Sequence, residues 1–129
     1  MEARLKKRVR ERADDRCEYC QRRQETSPLI RLQIEHVLPI KHGGGDEFEN
    51  LALACAECNL KKSSDLARID PDTKALTPLF HPRQDVWSEH FAWNGLRIIG
   101  LTAIGRTTVR VLDLNAAARL QVRLATSSD

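Results

Sequence analysis

Apolar residues recur at every fourth position near the start of the chain, at Leu5, Val9 and Ala13, with no glycine or proline between them. This spacing predicts a helix over about residues 3–15. After the polar run QRRQETSP the period shortens. In LIRLQIEHVLPI, residues 29–40, Leu32, Ile34 and His36 alternate with Arg31, Gln33 and Glu35, the pattern of a half-buried strand that Pro39 ends or confines to an edge. KHGGGDEFEN reads as a loop, because three consecutive glycines hold regular structure only at an entropic cost. LALAC reads as a short second strand, and residues 56–66 as a helix. The centre of the chain is therefore expected to run strand, long loop, strand, helix.

Beyond residue 70 the pattern changes again. Pro71, Pro78 and Pro82 punctuate an irregular stretch, and HFAWNGLRIIGLT then resembles a hairpin. Asn94-Gly95 would supply the positive φ angles of a type I′ turn between Phe91/Trp93 and Leu96/Ile98. Thr102 and Asn115 are candidate N-caps for two closing helices, AIGRTTVRVLDL and AAARLQVRLA. No repeat or low-complexity tract is visible. At 129 residues the chain is expected to form a single domain, residues 1–129, small enough to benefit from a metal staple.

Composition narrows the class. Charged residues make up 30% and aromatics 5%, which suits a soluble globular protein. No apolar run approaches the roughly 20 residues needed to span a bilayer, and MEARLKKRVRER lacks the apolar stretch of a secretory signal, so a cytoplasmic location is expected. The net charge is only +3, but Arg4, Lys6, Lys7, Arg8, Arg10 and Arg12 crowd the first twelve residues. Such an arm suits a phosphate-bearing partner; a solvated helix face explains it equally well.

The four cysteines form two identical spacings, Cys17-Glu-Tyr-Cys20 and Cys55-Ala-Glu-Cys58, separated by 34 residues. A two-residue gap lets one tight turn aim both sulfurs inward, and two such knuckles complete a tetrahedral thiolate site for structural Zn²⁺. A reducing cytoplasm disfavours disulfides. A thioredoxin-like redox pair is the weaker alternative, since no βαβ pattern surrounds either motif. Four thiolates would leave such a zinc no open position for water, so any chemistry must lie elsewhere.

The central segment offers the parts that phosphodiester hydrolysis needs. His36 is a candidate base. Glu35 would join it in one site if the strand twists or ends there, and Asn59 could add a carbonyl oxygen to a hard cation's ligand set. Asn50 is suited to bridge backbone groups across the glycine loop and to fix the imidazole. Lys61 and Lys62 are candidate phosphate contacts, or part of a solvated helix face.

At these residues the sequence resembles the HNH endonucleases. Glu35-His36, Asn50 and Asn59 carry the motif, supported by HGGGDEFENLALAC, by CNLKK and by the two flanking knuckles. The resemblance implies an α+β fold with a ββα-metal core, also called a His-Me finger, spanning residues 17–66. A basic N-terminal helix (1–16) and a C-terminal hairpin-helix extension (67–129) would flank it. It further implies a divalent-metal-dependent nuclease acting on DNA, with His36 as general base, Asn50 as positioning residue, and Glu35 and Asn59 as ligands of the catalytic ion. Asn59 stands where many members have His, which favours Mg²⁺ or Mn²⁺ over a nitrogen-preferring ion. Two alternatives stay open: an RNA-directed nuclease, and a non-catalytic zinc-binding module for nucleic acid or protein.

Overall fold

The computed structural model describes residues 1–127. They form two compact units, residues 1–64 with 81–85 and residues 65–80 with 86 onward. Among the described residues no helix is long and apolar enough to cross a membrane.

The first unit is built on an antiparallel hairpin of β1 (Gln33–His36) and β2 (Leu51–Ala54), with Gln33 opposite Ala54 and His36 opposite Leu51. All four β2 residues are buried, so LALA is apolar throughout because both of its faces are covered. Helix α1 (Ala3–Arg12) packs on β2, and α2 (Ala56–Lys62) on β1. α1 stops at Arg12, three residues earlier than its periodicity suggests, and Asp14 and Asp15 follow at positive φ. α2 is likewise shorter than expected and ends at Ser63, φ 52°.

The basic residues of α1 divide by role. Val9 is fully buried, Arg10 donates to the Leu32 carbonyl at 2.8 Å, and Arg12 donates to the carbonyls of Phe48 and Leu51. The Arg8 and Arg12 guanidiniums also sit 4.2 and 3.8 Å from the centre of the Phe48 ring. Half of the expected phosphate-binding arm therefore fastens the helix to the hairpin. Arg4, Lys6 and Lys7 remain on the exposed face.

The second unit contains two further hairpins. β3 (Ala67–Ile69) pairs with β4 (Leu76–Pro78), ordering part of the stretch expected to be irregular. A short helix α3 (Trp87–His90) leads into β5 (Phe91–Asn94), which pairs with β6 (Arg97–Gly100). Asn94 pairs with Arg97, and only Gly95 has positive φ, so the turn follows the type II′ pattern with Gly95 first, not the expected type I′. Helix α4 (Ala103–Val111) packs against β6, β3 and β4, its N-terminus capped by Thr102, whose hydroxyl accepts from Gly105 N–H at 3.0 Å. α5 (Ala117–Thr126) closes the unit. Asn115 is not its cap: its amide exchanges two 2.8 Å bonds with the backbone of Ile98, splinting β6. Phe80 and Phe91 stack edge to face at 5.2 Å in the core of this unit.

Candidate active site and metal centre

Two tight turns deliver the four cysteines. In each, the backbone N–H of the second cysteine points at the sulfur of the first, Cys20 to Cys17 at 3.5 Å and Cys58 to Cys55 at 3.4 Å. The second turn is also the N-cap of α2, so the knuckle and the helix start are one structure. All four side chains are buried and their sulfurs lie within 4.8 Å of one another, the arrangement that holds a metal such as zinc. The chemistry agrees. Burial pushes the Cys17 thiol well above its ordinary value, whereas the hydrogen bond from Cys17 brings Cys55 down to about 7. A thiolate cluster this dry is stabilised by a cation.

The first knuckle reaches across to the hairpin. Glu18 accepts the Leu53 N–H at 2.8 Å and the Arg83 guanidinium, and Tyr19, fully buried, donates its hydroxyl to Glu35. Glu35 itself is 4% exposed. Its second oxygen lies 3.6 Å from the Lys62 ammonium, which also donates to the Val37 carbonyl at 3.2 Å. Burial raises the Glu35 pKa, and the partial offset from Lys62 does not cancel that effect.

These contacts revise two expectations. Lys62 is 2% exposed and cannot meet a phosphate, because its ammonium neutralises a buried carboxylate; Lys61 is the exposed lysine of the pair. Glu35 lies on the covered face of β1, where α2 packs, and not on the open face that strand alternation suggested. With both oxygens engaged inside the unit, Glu35 does not fit a divalent ion in this arrangement. Asn59 has a freer hand: its amide nitrogen donates to Gln33 Oε1 at 2.6 Å, leaving its carbonyl oxygen available. Among the described residues the four cysteines are the one grouping of three or more His, Cys, Asp or Glu placed to hold a metal.

His36 ends β1 with its side chain 20% exposed, and its Nε2 lies 2.6 Å from the Asp46 carboxylate. Asp46 comes from the loop directly after the three glycines and is not a residue that the periodicity or the motif singles out. Its acidic side chain directly after the glycines was the available signal. Asn50 fastens that loop as expected, bonding Leu38 N–H and carbonyl at 2.8 and 3.0 Å and the Gly45 carbonyl at 2.9 Å. Among the described residues it makes no bond to the imidazole, whose partner is the Asp46 carboxylate. Gly44 is required by close approach, since a Cβ there would lie 1.7 Å from the Leu38 carbonyl oxygen.

A buried four-cysteine cluster clamps a β-hairpin to a helix, with a carboxylate-paired histidine at the strand's end, and together these form a knuckle-stapled ββα unit. Residues 17–65 match the model of the HNH endonuclease family. The chain is also similar to the Septu protein PtuB of Bacillus thuringiensis, 30% identical over 117 residues. That match covers 85% of this chain and 40% of the relative, so the chain spans well under half of that protein's length. No solved structure matches significantly.

Proposed function

We propose that the first unit hydrolyses phosphodiester bonds in DNA, with His36 as general base. The observation that carries this reading is the His36–Asp46 contact of 2.6 Å at the loop end of the hairpin. An ionised Asp46 accepts the proton on Nε2, so the lone pair of the neutral imidazole resides on Nδ1. Among the described residues Nδ1 has no hydrogen-bond partner, which leaves it free to take a proton from water. The water oxygen forms the new bond to phosphorus as its proton passes to Nδ1, and the bond to the 3′ oxygen breaks; that oxygen takes a proton from solvent to become a hydroxyl, leaving a 5′ phosphate on the other fragment. Asp46 stabilises the imidazolium formed in that step. Asn50 serves as a positioning residue by holding the loop that carries Asp46.

The HNH match supports a nucleic-acid substrate. A divalent ion, Mg²⁺ or Mn²⁺, would offset charge on the phosphate, and the Asn59 carbonyl oxygen would be one of its ligands. Zinc in the four-cysteine cluster is part of the same proposal, as is a cytoplasmic setting that keeps the thiols reduced. The enclosed Glu35–Lys62 pair favours a second reading, a non-catalytic zinc module that binds nucleic acid.

Supercoiled plasmid and single-stranded RNA, incubated with Mg²⁺ or Mn²⁺, separate these readings. Nicking of the plasmid by the native protein but not by His36→Ala supports the proposal. Cleavage confined to RNA moves the substrate, and no cleavage under any condition leaves the binding module.

A further inference from the structure

The second unit uses its cations sparingly. Arg68 pairs with Asp65 at 3.0 Å, Lys74 donates to the Pro71 carbonyl, and Arg119 and Arg123 donate to backbone carbonyls at 2.8 and 3.0 Å. Arg106 is held on both oxygens of buried Asp70, at 3.2 and 2.9 Å. Among the described residues, Arg97 and Arg110 are the two cations of this unit with neither an ion pair nor a side-chain hydrogen bond, and both are exposed. Both line the same open groove of about 440 Å³ between the β5–β6 hairpin and α4.

No acidic residue lines that groove, and the carboxylates beside it, buried Asp70 and exposed Asp72, pair with Arg106 and leave Arg97 and Arg110 unneutralised. Arg106 and Arg110 are four residues apart on α4 and therefore share its face, with Val109 beside them. Across the groove stand Arg97, exposed Asn94 and Ile99, which is 41% exposed. Two unneutralised guanidiniums, a third one held rigid by Asp70, and apolar side chains between them suit a ligand carrying repeated phosphates joined by less polar groups. The open shape suits an extended polymer rather than an enclosed small molecule.

We propose that this groove binds the sugar-phosphate backbone of a nucleic-acid strand, with Arg97 and Arg110 as the phosphate contacts. This inference rests on the nuclease reading of the first unit for the identity of the ligand, and assigns the second unit the task of holding substrate. The contacts would be to backbone, so they would add affinity without reading sequence.

Binding of fluorescein-labelled 20-mers of single-stranded DNA, duplex DNA and RNA is measured by anisotropy across a salt series, without added divalent ion. The proteins are the full chain and Arg97→Gln/Arg110→Gln, checked for equal thermal unfolding and zinc content. Loss of two phosphate contacts predicts a fall of about 2 in the slope of log K against log salt, and affinity weaker by on the order of tenfold at 0.1 M salt. The three probes identify which strand type the groove takes. An unchanged slope and affinity within about twofold overturns the proposal, as does binding of poly-glutamate with none of the nucleic acids. Plasmid nicking by the same two proteins separates the two claims. A native protein that binds but never cuts, with binding lost in the variant, retains the groove and removes the nuclease reading. Intact binding and cutting by the variant removes the groove alone.

Discussion

Replacing Lys62 with methionine keeps most of the side chain's volume and removes its ammonium from a pocket where only 2% of the residue is exposed. Glu35 is then left as a buried charge with Tyr19 as its remaining hydrogen-bond donor. At the observed 3.6 Å separation, and an effective dielectric of about 20, the lost attraction is about 4–5 kcal/mol. Breaking a buried pair by deleting one partner costs about 3–5 kcal/mol by general experience, so the two estimates agree. The loss has a direction in pH. Burial already raises the folded-state pKa of Glu35 above its unfolded value, and losing Lys62 raises it further. Below the unfolded value the carboxyl is neutral in both states and the penalty is small. Relative to native protein it grows by about 1.4 kcal/mol per pH unit between the native and the variant folded-state values of Glu35, then levels off. Amide exchange of Leu53 and Ala54, inside the hairpin, reports the opening free energy of this unit at several pH values. The double variant Glu35→Gln/Lys62→Met removes both charges and should recover most of the loss. A Lys62→Met effect below about 1 kcal/mol and flat with pH, or a double variant worse than either single one, would refute the mutual compensation of these two buried charges.

Three further outcomes follow from the geometry. Asp46→Asn should lower kcat by about tenfold to a hundredfold with KM little changed, because the imidazole loses the partner that fixes its tautomer; an unchanged kcat removes Asp46 from the reaction. Gly44→Ala should destabilise the first unit by about 1–3 kcal/mol or more, read by the same amide exchange, since its Cβ would enter the Leu38 carbonyl; a neutral effect means the loop can shift at no cost. Arg106 holds Asp70 far below the usual carboxylate range, so the stability Asp70 gives the second unit is present above about pH 4 and is lost only in strong acid. Fluorescence of Trp87 and Trp93 during denaturation should therefore show Asp70→Asn weaker than native at neutral pH, the two converging only in strong acid; equal stability at neutral pH contradicts this.

Local chemistry was the part most legible in the sequence. The two knuckles follow from a two-residue spacing that any tight turn reproduces, and the Thr102 cap from the same kind of short-range rule. Asn50 was readable as a loop fastener because a glycine run needs one. The orientation of Glu35 was not, since strand alternation places a charged residue outward unless a distant partner neutralises it, and Lys62 lies 27 positions along the chain. Asp46 escaped for a similar reason: it reaches His36 from a loop without periodicity, ten residues away. The β5–β6 turn shows the ambiguity of short signals. Asn-Gly favours type I′, but the pairing of Asn94 with Arg97 places Gly95 and Leu96 at the corner. β3 and β4 are three residues each, too short to show a period.

The proposed role of His36 is chemical, in a unit that the cysteine cluster holds together. The direct measurement is nicking of supercoiled plasmid in Mg²⁺ or Mn²⁺ by native protein and by His36→Ala, with zinc counted by mass spectrometry in the same samples. A loss in rate of about a hundredfold or more, with one zinc per chain retained in both proteins, is the predicted result. Equal cutting by the two proteins, or no cutting by the native one, would contradict it.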